Sequence, residues 1–170
     1  MNKTELKEKL NNLMLNQNED NYELGSKWQQ EHAKLVERYV STYPKHKFND
    51  DEIASLIFSL NTDLQVRDYA MGLIDPTSKT QYQAWYQLMN CAPIAWRNAQ
   101  ACLASVVKYE QGSRTDAIVL LTNTKADYAL SKLLSRVYTA GWEPKGFASM
   151  RLELHPKVTA GIFNLEEVNA

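Results

Sequence analysis

Residues 94–141 read IAWRNAQACLASVVKYEQGSRTDAIVLLTNTKADYALSKLLSRVYTAG, and this stretch decides the fold. Its apolar side chains recur at helical spacing in three runs: Trp96, Ala99, Leu103, Val106 and Val107; Ala117, Leu120 and Leu121; and Leu130, Leu133, Leu134, Val137 and Tyr138. The breaks between the runs carry turn chemistry. Gly112 stands where a left-handed residue ends a helix, Ser113 with Asp116 opens the next, Asn123 to Lys125 turn the chain, and Gly141 precedes Pro144. Helices of about 94–111, 113–122 and 126–140, joined by turns of roughly three residues, have to pack antiparallel to their neighbours. Along the first of these helices Glu110 is expected to bury only its apolar stem.

The same reading extends toward the N-terminus. A helix near 22–42 carries Trp28, His32, Leu35, Val36, Tyr39 and Val40 at helical spacing and closes before Pro44. Asn49 followed by Glu52 forms a capping-box pair ahead of Ile53, Leu56, Ile57 and Leu60. Thr62 or Asp63 caps a short helix through Val66, Tyr69, Ala70 and Leu73, which stops near Gly72. Thr77 or Ser78 opens another, with Tyr82, Trp85, Tyr86 and Met89 on one face, and Pro93 suits the first turn of the following helix. The first helix, about 4–16, has Leu6, Leu10, Leu13 and Met14 on one stripe and a heavily charged opposite face, which suggests a mobile arm. Beyond Pro144, alternation over Met150, Leu152 and Leu154 suggests a short extended segment around 151–155.

The expected fold is therefore all-α, a compact antiparallel bundle of about seven or eight helices with a short extended piece near the C-terminus. N-terminal helices (1–60), a bundle (61–157) and an acidic tail (158–170), ordered through Ile162 and Phe163, are expected to form one compact domain. The chain has 170 residues, 44% hydrophobic and 23% charged, enough to bury a core without disulfides or a structural metal. Formal net charge is −1, but residues 1–78 hold 9 Lys and Arg against 13 Asp and Glu, whereas residues 79–157 hold 10 against 5. The cations of that basic middle are spread singly, unlike the clusters of a duplex-DNA binder.

Few residues suggest chemistry. Cys91 and Cys102 form no CxxC and read as reduced, buried thiols. His32, His46 and His155 lie in different elements without metal-ligand spacing, and His32 is expected to pack on its helix face beside Trp28 and Tyr39. No nucleophile elbow or phosphate-binding glycine loop occurs, so neither a cofactor nor a metal is expected. Asp50, Asp51 and Glu52 open a helix and favour its dipole. Arg67 and Asp68, adjacent on a short helix, should diverge, each meeting a partner from another helix. They either fix helix register or form the polar rim of a pocket, with Arg67 as an anion anchor. Tyr82, Trp85, Tyr86 and Trp96 flank the 90–93 turn, with Arg97 beside them; they are either a core anchor or a binding groove. The start of the chain lacks a secretion signal and no stretch is apolar enough to cross a membrane, so a cytoplasmic protein without membrane attachment is expected.

Val66-Arg67-Asp68, Trp85 with Cys91-Ala92-Pro93, Ala99 to Tyr109 with Gln111-Gly112, and Asp127 to Leu134 running to Gly141 and Pro144 together resemble the C-terminal part of the bacterial domain-of-unknown-function family 4192. The resemblance covers about residues 66–157, while residues 1–60 read as lying outside it. It implies a helical bundle and no particular activity, and the composition fits a divergent relative carried on a phage or plasmid. The leading expectation is a non-enzymatic interaction or adaptor protein that docks a protein partner through residues 82–97 or the first helix. The alternatives are a nucleic-acid-associated protein using the basic middle, and an enzyme whose site is assembled from separate helices.

Overall fold

The computed structural model describes residues 1–165, and all regular structure among them is helical. Nine α-helices follow in order: α1 (Lys3–Asn16), α2 (Lys27–Thr42), α3 (Asp50–Thr62), α4 (Leu64–Gly72), α5 (Gln81–Cys91), α6 (Asn98–Glu110), α7 (Arg114–Leu121), α8 (Ala129–Ala140) and α9 (Pro144–Phe163). Single 3-10 turns at Glu19–Tyr22 and Ile94–Trp96 link α1 to α2 and α5 to α6. One apolar cluster runs from Leu6 of α1 to Phe147 of α9.

At the centre lies α6, in which every residue from Asn98 to Val107 is buried. No charge interrupts the run from Asn98 to Val107, and Ala99, Ala101, Ala104 and Ser105 are small enough to admit neighbours on every side. Helices α3, α5, α7, α8 and α9 pack around it. Its N-terminus is capped from outside: the Asn61 side-chain carbonyl on α3 accepts the Ala99 N–H at 3.0 Å, while its amide donates to the Trp96 carbonyl at 3.1 Å. At the other end the Ser113 N–H reaches the Lys108 carbonyl at 2.9 Å with Gly112 at φ +87, so the anticipated left-handed stop is present.

Capping was legible elsewhere too. Asn49 and Glu52 exchange side-chain and backbone bonds at the start of α3, and the Asp63 carboxylate accepts the Val66 N–H at 2.9 Å. Helix α2 starts later than expected, because Gly25 at φ +78 reverses the chain and Ser26 caps it. Helix α5 also starts late, at Gln81. The Thr77 backbone N–H and hydroxyl both donate to Asp75 Oδ1, and the Ser78 hydroxyl accepts from the Thr80 and Gln81 N–H groups, so the capping chemistry forms a turn ahead of the helix.

Two expectations are corrected. The first helix is no mobile arm: Leu6 and Leu10 are buried against α3, Lys9 pairs with Asp51 at 2.6 Å, and Asn2 with Glu5 closes a capping box. Its charged face is its solvent face. Residues 151–155 are not extended but lie inside α9, the helix beyond the eight read from the sequence. Met150 and Leu154 share one face at i and i+4, with Leu152 on another, so the apparent alternation is two faces of a helix. Pro156 removes one helix hydrogen bond, to the carbonyl of Leu152, an exposed residue. Of the expected tail, Ile162 is buried and Phe163 ends α9; Glu166 and Glu167 lie outside the described residues.

Candidate functional site

Helix α9 packs chiefly along α4 and α6, and α8 along α6 and α7, so that any contact between α8 and α9 themselves is slight. Between them lies a half-open trough of about 340 Å³. Leu130, Leu133 and Leu134 line it from α8, and Phe147, Met150, Leu154 and Val158 from α9, with Met71 and Gly72 of α4 beneath. Leu133 and Leu154 are 55% and 53% exposed, high for leucines sharing one concave surface. Arg67, Asp68, His155 and Lys157 supply the polar groups of its lining, together with Arg151.

Arg151 holds the trough together. Its guanidinium forks onto the Glu110 carboxylate, with Nε to Oε2 at 2.8 Å and Nη2 to Oε1 at 2.7 Å, while Nη1 donates to the Met71 carbonyl at 3.1 Å. The Arg151 and Glu110 side chains are only 3% and 1% exposed, so one buried ion pair ties α9 to α6 and to the C-terminal end of α4. Glu110 thus buries its charge as well as its stem, a correction to the sequence expectation. Beside it the His155 ring lies on Gly72, where an added Cβ would come within 1.8 Å of Nδ1. That Nδ1 is buried and has no hydrogen-bond partner among the described residues, and burial with the nearby Arg151 charge lowers the His155 pKa.

Arg67 and Asp68 do not diverge as expected. The long arginine side chain bends back so that Nε and Nη2 both donate to Asp68 Oδ1, at 2.9 and 2.8 Å, while Nη1 reaches the Tyr128 hydroxyl at 3.3 Å. Three of its five N–H groups are engaged, and two remain. Both residues lie on the trough, as the pocket-rim reading had it.

The aromatic group, read as either a core anchor or a groove, is divided by the fold. Trp85 is 0% exposed and packs against Tyr39 in the core, so it has no face free for a partner. Trp96 is half-buried against Phe58. Tyr82 and Tyr86 stack at 5.5 Å, half-buried, and line a separate cleft with Lys108 of α6 and Asp116 and Leu120 of α7, Lys108 Nζ lying 4.1 Å from the Tyr82 ring centroid. Arg97 is spent on the chain itself, donating to the carbonyls of Ala92 and Asn90.

Both cysteines are free thiols. Cys102 is buried, and burial pushes it up to about 12, whereas Cys91 is exposed, contrary to expectation, because it ends α5 at the surface. His32 stacks on Trp28 at 4.1 Å, with Nδ1 at 2.7 Å from the Trp28 carbonyl. Among the described residues no three His, Cys, Asp or Glu side chains gather as a metal would require, and no helix is long and apolar enough to cross a membrane.

Fold and site together define an all-helical bundle with an apolar, half-open trough on one side. Residues 2–145 match the family described as domain of unknown function (DUF4192), and the chain belongs to it. The match takes in α1 to α3, which the sequence reading had set outside the resemblance, and it ends where α9 begins. No curated protein and no solved structure matches the chain.

Proposed function

We propose that this chain is a non-enzymatic helical binding module that docks a protein partner in the trough between α8 and α9. The observation that carries the proposal is the joint exposure of Leu133, Met150 and Leu154 around one apolar concavity. Contiguous exposed apolar surface with a polar rim is what protein-docking sites present. The trough replaces the aromatic turn as the docking face, because Trp85 belongs to the core. It is also preferred to base stacking at the aromatic turn. Lys108 and Arg97, cations near the aromatics in sequence, are engaged with Tyr82 and with backbone carbonyls.

The test is a double substitution, Leu133→Asp with Leu154→Asp, in the full chain. Both side chains are largely exposed, so the fold should change little in stability, roughly 0.5 kcal/mol for each surface position. A partner co-purified with the native chain from its host should be lost, while Leu15→Asp, at an 82% exposed leucine of α1, keeps it. Retention of the partner by the double variant refutes the proposal.

A further inference from the structure

The trough's occupant can be narrowed, on the reading that the trough is the docking face. We infer that it takes one turn of an amphipathic helix from the partner, bearing acidic side chains beside its apolar stripe.

Shape selects the helix. Adding a strand needs an open sheet edge, and the described residues contain no sheet. A polyproline ligand needs an aromatic-lined groove, and Phe147 is the trough's only aromatic besides the His155 ring. The walls instead present apolar groups at helical spacing, Leu130 with Leu134 on α8 and Met150, Leu154 and Val158 on α9, which are ridges that a third helix can mesh with. Size agrees: a cavity of roughly 150 Å³ holds a benzene ring. A trough of about 340 Å³ therefore has room for two side-chain anchors, such as leucines at i and i+4.

Charge selects the acidic flank. Lys157 stands exposed on the rim and has no carboxylate partner among the described residues. Arg67 and Asp68 neutralise each other, with the arginine side chain 12% exposed. Lys157 is therefore the one exposed, unpaired cation of the lining among the described residues. An acidic flank gains from this, and a basic one is repelled.

The experiment is fluorescence anisotropy on the full chain with labelled model peptides. One is a leucine-striped helix flanked by glutamate, the second has lysine flanks, and the third keeps the glutamates with a central proline. The glutamate helix should bind, the other two at least roughly tenfold more weakly. Leu133→Asp should abolish binding, and Lys157→Glu should weaken the glutamate helix roughly three- to fivefold, the size of one exposed ion pair. A thermal melt checks that each variant folds. Equal binding of the lysine or proline peptide overturns the inference, as does binding indifferent to Leu133→Asp. If no peptide binds while the Leu133→Asp/Leu154→Asp variant still loses the native partner, the docking face stands and the acidic-helix assignment falls. If that variant keeps the partner, both fall.

Discussion

At the scale of single residues, the Glu110–Arg151 pair governs how α9 is held. Arg151→Met should cost about 3–5 kcal/mol, because it strands the Glu110 carboxylate where its side chain is 1% exposed. Glu110→Leu combined with Arg151→Met should recover most of that loss, since an apolar pair of similar volume avoids the desolvation of two charges. A double-mutant cycle in urea measures both; equal losses in the single and double variants would contradict the pairing. Gly72→Ala should cost about 1–3 kcal/mol by driving a methyl into the His155 ring, and His155→Ala should remove that cost when combined with it. Protonation gives a third prediction. Burial holds His32 and His155 below their ordinary 6.5, so as pH falls through 6.5 the unfolded chain binds protons that the folded chain refuses. Their contribution is complete above pH 6.5 and is lost below it, toward the folded values. Melting temperatures between about pH 7.5 and pH 5.5 should decline less steeply in His32→Gln and His155→Gln than in the native chain.

At the scale of elements, periodicity and caps were legible wherever a helix has one wet face. The stripe of α3, the Asn49 and Asp63 caps and the glycine stops after α6 and α8 stand as read. The failures have physical causes. Helix α9 buries only Phe147, Arg151 and Ile162 and carries leucines on more than one face, so it lacks the single stripe by which a helix is recognised. Its anchor is a charge pair between residues 41 apart in the chain, which no local pattern displays. Helix α1 misled in the opposite way: its charges are conspicuous, while its docking depends on two leucines. Leu10→Ala should therefore cost about 2–5 kcal/mol and lower the urea midpoint, whereas an undocked arm would tolerate it without change.

At the scale of the whole molecule, the near-zero net charge conceals an acidic first section and a basic 79–157 section. The polar rim of the trough draws Lys157 from the second and the Arg67–Asp68 pair from the first. Arg67 and Asp68 were legible in the sequence but the apolar walls were not, because Leu133 looks like an ordinary helix position and Met150 and Leu154 look like part of an extended segment until α9 forms beside α8. For Trp85 the sequence left core anchor and docking face open, since aromatic spacing on one helix is the same for both, and the core anchor is what the fold makes of it. The family match ends at residue 145, so the α9 wall lies almost entirely beyond it, while α8 and the α4 floor lie within. The central claim is that the exposed leucines of these two helices meet a partner. Photo-crosslinking in the host tests it most directly, with a reactive side chain placed in turn at Leu133, Leu154, Ile94 and Leu15, all exposed. If the trough is the docking face, positions 133 and 154 give one discrete adduct and positions 94 and 15 none; an adduct from position 94 with none from 133 or 154 places the partner elsewhere.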